Sequence, residues 1–243
     1  MKEEKIYIFK DIVFYSLIIG IIIVASIFLV KYIREYYLAE KAYEEIAEEY
    51  TDTAKDEATD EDTVDLDTLK GVNKEIIGWI QIPLTRVDYP VVKTSDNDRY
   101  LTTDFEGNES IYGCLFMDYR NDGRWTSLIS TVYGHNMKNG AMFGSLKKYN
   151  NYDYYKEHPI IKVHTFYGLR EYEVISSYIC TPDDKVYTFM SINSTDDYKD
   201  YLRHVKEKAS YQTEKNYDIN KRSLVLSTCY GKNDRYVVVA QEK

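Results

Sequence analysis

Cysteine is sparse in this sequence, with three residues in all. None forms a CxxC pair, and no HExxH or paired-histidine spacing accompanies them, which speaks against a metal site. No glycine-rich loop follows a strand-like run, so the usual phosphate cradle is missing. Positive charge is also in deficit: the net charge is -9 and the pI is near 5.1. A nucleic-acid binder needs a basic face to neutralise phosphates, and that class is excluded. Internal repeats and a second domain are absent too. An odd number of cysteines leaves at least one thiol unpaired, as a nucleophile requires.

A long apolar run is present. "IVFYSLIIGIIIVASIFLV" at 12–30 carries no charge and has the length of a bilayer-spanning helix. A secretory signal has a shorter apolar region and a small-residue cleavage site, whereas here the run passes directly into "KYIREYYLAEKAYEEIAEEY". The expected order is a short tail at 1–11, a transmembrane anchor at 12–30, an acidic stem and linker at 31–66, and a globular domain at 67–243. Lys2, Lys5 and Lys10 on one side of the run are matched by Lys31, Arg34 and Lys41 on the other. Charge asymmetry therefore leaves the orientation open. After Tyr50 large apolar residues almost vanish, and the acidic stretch reads as a plain stalk fading into a solvated spacer.

From Val64 onward the pattern changes to short apolar runs separated by turn residues. "IIGWIQIPLTRVDYPVVK" alternates at Ile80, Ile82 and Leu84 and again at Val87, Tyr89 and Val91, with Pro83 and Pro90 limiting strand length. Further strand candidates are "IYGCLFMDY", "SLISTVYG", "PIIKVHTFY", "REYEVISSYI", "SLVLSTC" and "RYVVVAQ". Many short strands joined by turns predict a mainly β sandwich or barrel. One amphipathic helix interrupts them at about 195–212, with Tyr198, Tyr201, Leu202, Val205 and Ala209 on one face and Ser194 or Thr195 as N-cap. "AMFGSLKKYNN" suggests a shorter one.

The last strands carry the chemistry. In "SLVLSTC", Leu224, Leu226 and Thr228 share one face, and Val225, Ser227 and Cys229 share the other. The leucines suit a core, so Ser227 and Cys229 are expected to face a groove. A hairpin after Cys229 brings Arg235 opposite it, about 5 Å away across the strand pair. Arg222, the alternative cation, lies roughly 23 Å back along an extended strand. A guanidinium beside a thiol favours the thiolate and can donate hydrogen bonds to an oxyanion. Acyl transfer also needs a proton carrier. Among four histidines, His158 precedes a proline, His164 sits mid-strand and His204 rides the helix. His135 ends a strand-like run beside the loop "HNMKNGAMFG". Spacing favours His135 without deciding it. Cys114 and Cys180 sit in apolar runs and read as small buried hydrophobes.

These residues resemble those of the class B sortases. "EIIGWIQIPLTRVDYPVV", "DNDRYLTTDF", "GCLFMDYRND", "VYGHNMKNGAMFGSLKKY" and "LSTC" followed by Arg235 occur in that family's order, from about Leu66 to the last residue. The resemblance implies a closed β-barrel of about eight strands with peripheral helices, preceded by a transmembrane helix and a helical stem. It also implies a transpeptidase with the catalytic domain, 67–243, outside the cell and the tail at 1–11 cytoplasmic. Cys229 would attack the Thr carbonyl of a sorting motif, of the Asn/Ser/Pro-Pro-x-Thr kind, near the C-terminus of a secreted protein. An amine of a cell-wall peptide or peptidoglycan precursor would resolve the thioacyl-enzyme. His135 would serve as acid and base and Arg235 would hold the oxyanion. Asn97, Leu101, Ser227 and Thr228 would line the substrate groove, with no cofactor or metal implied. Val225 stands where the family often has Thr, and six positions from Cys229 to Arg235 make a tight connection by class B standards. Two competing readings are a papain-like protease and a stalked binding module without activity. The first is disfavoured because the cysteine comes last and no C-G-x-C-W signature is present. The intact Cys, His and Arg set stands against the second.

Overall fold

The computed structural model of the chain describes residues 2–51, 63–188, 192, 194–213, 215 and 217–243. Eight strands close into a barrel: β1 (Ile76–Gln81), β2 (Asp88–Val92), β3 (Leu115–Met117), β4 (Ile129–Tyr133), β5 (Ile160–Thr165), β6 (Gly168–Cys180), β7 (Ser223–Tyr230) and β8 (Asp234–Glu242). Their order around the barrel is β1-β2-β3-β4-β7-β8-β6-β5. Every strand expected from the alternation is there, and closure removes the exposed edges an open sheet would leave. Most neighbours run antiparallel, but β2 with β3 and β4 with β7 are parallel.

Pro83 lies between β1 and β2, as expected of a strand breaker, but Pro90 lies inside β2 opposite Trp79. The register of β2 with β3 begins only at Val91, so Pro90 occupies a stretch with one partner strand and its missing N–H interrupts no second ladder.

Strand parity separates two cores. Leu224 and Leu226 of β7 and Tyr236, Val238 and Ala240 of β8 fill the barrel interior. Val225, Val237 and Val239 point outward into a second cluster beneath α4 (Thr195–Lys208). Ser194 caps α4 by accepting from the Asp197 N–H, and Tyr198, Tyr201, Leu202 and Val205 are its buried face. Burying Leu202 and Val205 contributes roughly 1.5–3 kcal/mol each. That anchors a helix of 14 residues, which is marginal alone. The helix ends at Lys208, short of the expected 212, because Ala209 leaves helical geometry. "AMFGSLKKYNN" yields a 3-10 turn at Leu146–Asn150, and α3 (Tyr152–Glu157) follows once Asn151 accepts from the Asp153 N–H.

Helix α1 (Lys2–Thr51) is continuous for 50 residues, about 75 Å. Its stretch from Ile12 to Val30 is solvent-exposed and apolar. Among the described residues it is the one helix long and apolar enough to cross a membrane. The acidic half is no plain stalk. Tyr36, Ala39, Tyr43, Ile46, Ala47 and Tyr50 recur at helical spacing and pack against the barrel core. The Tyr43 hydroxyl donates to the Gly113 carbonyl at 2.5 Å and accepts from the Phe105 N–H at 3.2 Å. Tyr36 meets Tyr112 edge-on, and Glu40 pairs with Arg86 at 2.8 Å. The apolar stripe was present among the glutamates, and it outweighs their preference for water. The spacer expected after Tyr50 falls at 52–62, outside the described residues. Helix α2 (Leu66–Val72), capped by Asp65, leads into β1.

Candidate active site

The ends of β4 and β7 bring two of the expected groups together. These strands run parallel with Tyr133 opposite Ser227. Continuing that register by two residues sets His135 alongside Cys229, with strand neighbours about 4.8 Å apart. Three hydrogen bonds hold the ends in place. Gly134 N–H donates to the Ser227 carbonyl at 3.1 Å, Thr228 Oγ1 to the Gly134 carbonyl at 2.8 Å, and Asn136 Nδ2 to the Cys229 carbonyl at 2.8 Å. A side chain at Gly134 would run into those of Leu115 and Phe143, which would have to shift to admit it.

The β7–β8 hairpin supplies the third group. Cys229 and Arg235 are register partners across it, as parity and turn length predict. Arg222 lies at the other end of β7, where its guanidinium pairs with Glu242 at 3.1 Å. Arg235 also partners Cys180 on the opposite neighbour, β6. Its guanidinium donates to the carbonyls of Asp234 and Asn233, at 2.9 and 3.5 Å. No hydrogen bond between Arg235 and Cys229 is formed.

A cleft of about 240 Å³ opens over these residues. His135, Cys229 and Arg235 line it, together with Asn97, Leu101, Ser227 and Thr228, so all seven expected site residues border one space. Sequence reasoning missed Asp98, Phe116 and Tyr133, which line it as well. Tyr133 stood two residues before His135 on the same strand parity, and that signal could have found it.

Cys229 is exposed, whereas Cys114 and Cys180 are buried. Burial pushes both of those thiols up to about 12, which leaves them protonated at neutral pH. His135 Nε2 lies 2.7 Å from the Leu101 carbonyl. A carbonyl only accepts, so Nε2 carries the hydrogen and Nδ1 is the position that gains or loses a proton. Leu101 thus meets the site through its backbone as well as its side chain. The other histidines are committed elsewhere: His158 to the Pro83 carbonyl, His164 to Gln81 and His204 to Asp184.

Ser227 was expected to face an open groove but is 1% exposed. The turn at Lys185–Tyr187 covers the outer face of β7 there, and the Ser227 hydroxyl bonds Tyr187 OH at 2.7 Å. Thr228 is also buried, its hydroxyl already given to Gly134.

Comparison with known proteins decides the family. The sortase domain pattern matches residues 80–243. The chain belongs to the sortase family, in its class B. Sortase B of Listeria monocytogenes is 35% identical over 171 residues, 70% of this chain and 69% of that protein. Sortase B of Staphylococcus aureus is 32% identical over 176 residues, 71% and 72% of the two chains. A crystal structure of sortase B from B. anthracis superposes with a TM-score of 0.76 at 31% identity, covering 86% of this chain and 98% of the other. A Staphylococcus aureus sortase B–substrate complex gives 0.69 at 32% identity, covering 73% and 83%. This sortase is accordingly a transpeptidase of cell-wall anchoring, on the same eight-stranded barrel.

Proposed function

We propose that Cys229, His135 and Arg235 carry the transpeptidation, on a secreted protein bearing a C-terminal sorting motif. The observation that supports this reading is the register that sets Cys229 opposite Arg235 in a cleft it shares with His135. The Cys229 thiolate attacks the carbonyl carbon of the motif's Thr, and the carbonyl electrons move onto oxygen. Arg235 turns from its own hairpin carbonyls to donate to that oxyanion, a contact stronger in the transition state than in the ground state. As the tetrahedral species collapses, the C–N bond breaks and the leaving amine takes a proton from His135 Nδ1. A thioacyl-enzyme remains. An amine of a cell-wall peptide or peptidoglycan precursor then gives its proton to His135 and attacks the thioester, and Cys229 leaves as thiolate. One amide is exchanged for another, with no net redox change.

Helix α1 serves as the membrane anchor through 12–30, with 1–11 cytoplasmic and the catalytic domain, 67–243, extracellular. The test is incubation of the full chain with fluorogenic sorting peptides, with and without an added amine. Amine-dependent transfer product, absent with Cys229→Ala, is expected. Hydrolysis indifferent to the amine would indicate a protease, and binding without cleavage would indicate a decayed site.

A further inference from the structure

The segment "GCLFMDYRND" is part of the family resemblance, yet no residue in it takes part in the chemistry proposed above. Asp118 follows β3 directly, and its side chain has no exposed surface. A buried carboxylate is costly unless it is paired and hydrogen-bonded. Arg120 supplies the pairing, with Nε on Oδ1 at 2.8 Å and Nη2 on Oδ2 at 2.7 Å, and its own N–H adds a third bond at 3.0 Å. That fork already neutralises the charge. Two further donors reach Oδ2 from the cleft wall: Tyr133 OH at 2.8 Å and Asn97 Nδ2 at 3.3 Å. Both residues line the cleft over Cys229.

We infer that Asp118 is a positioning residue for the transpeptidation, acting through Asn97 and Tyr133, which it fixes in the substrate-facing wall. Asn97 shows what this fixes. Its Oδ1 accepts the Tyr119 N–H at 3.0 Å, and one hydrogen of Nδ2 points to Asp118. The amide cannot flip without opposing donor to donor and acceptor to acceptor, so it presents its second N–H to the cleft. That is a donor suited to a peptide carbonyl of the substrate. Tyr133 is held as a hydroxyl that gives its hydrogen to Asp118 and offers oxygen lone pairs. Burial, with the adjacent carboxylate, keeps that phenol protonated. Burial works to raise the Asp118 pKa, but the bonds from Arg120 and Tyr133 outweigh it and hold the carboxyl below its ordinary value.

This rests on the proposed Cys229 chemistry, and the experiment separates the two. The full chain in detergent is assayed for peptide transfer as wild type, Cys229→Ala, Asp118→Asn, Arg120→Gln, Asn97→Ala, Tyr133→Phe and their combinations, each with a thermal melt. If the wild type transfers nothing, or Cys229→Ala retains activity, the underlying reading fails. Given Cys229-dependent transfer, Asp118→Asn is expected to lower kcat/KM by about tenfold or more, chiefly through KM, because substrate contacts are misplaced. That loss should shrink to within about twofold in the Asn97→Ala/Tyr133→Phe background, since the groups Asp118 acts through are gone. Arg120→Gln keeps the carboxylate and should lower the melting temperature while kcat/KM stays within about threefold. Undiminished kcat/KM in Asp118→Asn overturns the proposal, as does an equal loss in both backgrounds. An Arg120→Gln loss as large as that of Asp118→Asn also overturns it, because the pair is then merely structural. Should Asp118→Asn not fold, the Asn97→Ala and Tyr133→Phe pair decides. The two side chains share Oδ2, so non-additive losses support the proposal and additive ones overturn it.

Discussion

One wall of the cleft, formed by the 97–101 turn and the end of β4, is held by directed hydrogen bonds. Beside it, the β7–β8 hairpin presents an exposed thiol and a partly exposed guanidinium that bonds only its own turn carbonyls among the described residues. His135 has its tautomer set by the Leu101 carbonyl, and Asp118 sets the orientation of the Tyr133 hydroxyl and of the Asn97 amide. The contrast follows from the work each wall has to do. Groups that move a proton or orient a peptide gain from being fixed before the substrate arrives. A nucleophile must stay reachable, and an oxyanion donor needs a position it can take up as charge develops.

Removing the thiol is the most severe way to break that contrast. Cys229→Ala should abolish cleavage and thioacyl formation, measured by peptide turnover, while the melting temperature is retained. Cys114→Ala and Cys180→Ala should stay active, because both thiols are buried and held protonated. A dead Cys180→Ala beside an active Cys229→Ala would reverse the assignment.

On the fixed wall, His135→Ala should lower kcat/KM by the ~10²–10⁴-fold typical of a lost acid/base group. Alanine at His158, His164 or His204 should affect stability only, since these rings bond Pro83, Gln81 and Asp184 away from the cleft. Full activity of His135→Ala would remove the proton carrier from the account.

The loose wall is sharpened by Arg235→Lys, which keeps the charge and loses the planar fork of donors. An oxyanion role predicts a loss of about 10²–10³-fold in kcat/KM for both Lys and Ala. If Arg235→Lys stays near wild type, the guanidinium acts through charge alone. The thiol pKa, read from the pH dependence of alkylation in all three proteins, then reports that charge directly.

The smallest effect on activity is expected from Tyr43→Phe, which asks how far the fixed wall extends. The hydroxyl joins α1 to the Phe105 N–H and the Gly113 carbonyl, in the segment that also carries Leu101. Its loss should cost about 1–3 kcal/mol of stability, the penalty for leaving buried partners unmet. Denaturant unfolding measures that cost. Activity at 25 °C should change by less than about threefold. A larger kinetic loss would make α1 part of the positioning machinery.

The hairpin pairing was legible in the sequence because parity and turn length are local properties: Cys229 and Arg235 lie six residues apart and must meet. His135 was legible as a strand end, but its neighbour was not. The parallel pairing of β4 with β7 spans some ninety residues and leaves no local mark. The same holds for Asp118, whose partners Asn97 and Tyr133 come from separate segments. Burial of Ser227 escaped notice because alternation marks which residues share a face, and the turn that covers this face arrives from Lys185–Tyr187. The docked half of α1 was hidden by composition. A count of glutamates conceals an apolar stripe that helical spacing brings out at 36, 39, 43, 46, 47 and 50.

The central claim, that the exposed thiol of the loose wall forms the acyl-enzyme, is tested most directly by mapping the adduct. The full chain is incubated with a sorting peptide in the absence of amine, quenched in acid and analysed by peptide mass spectrometry. The account predicts one acyl group, ending at the motif's Thr and attached to Cys229, that disappears when an amine is added. An adduct on Cys114 or Cys180, or turnover with no adduct on Cys229 under single-turnover conditions, would contradict it.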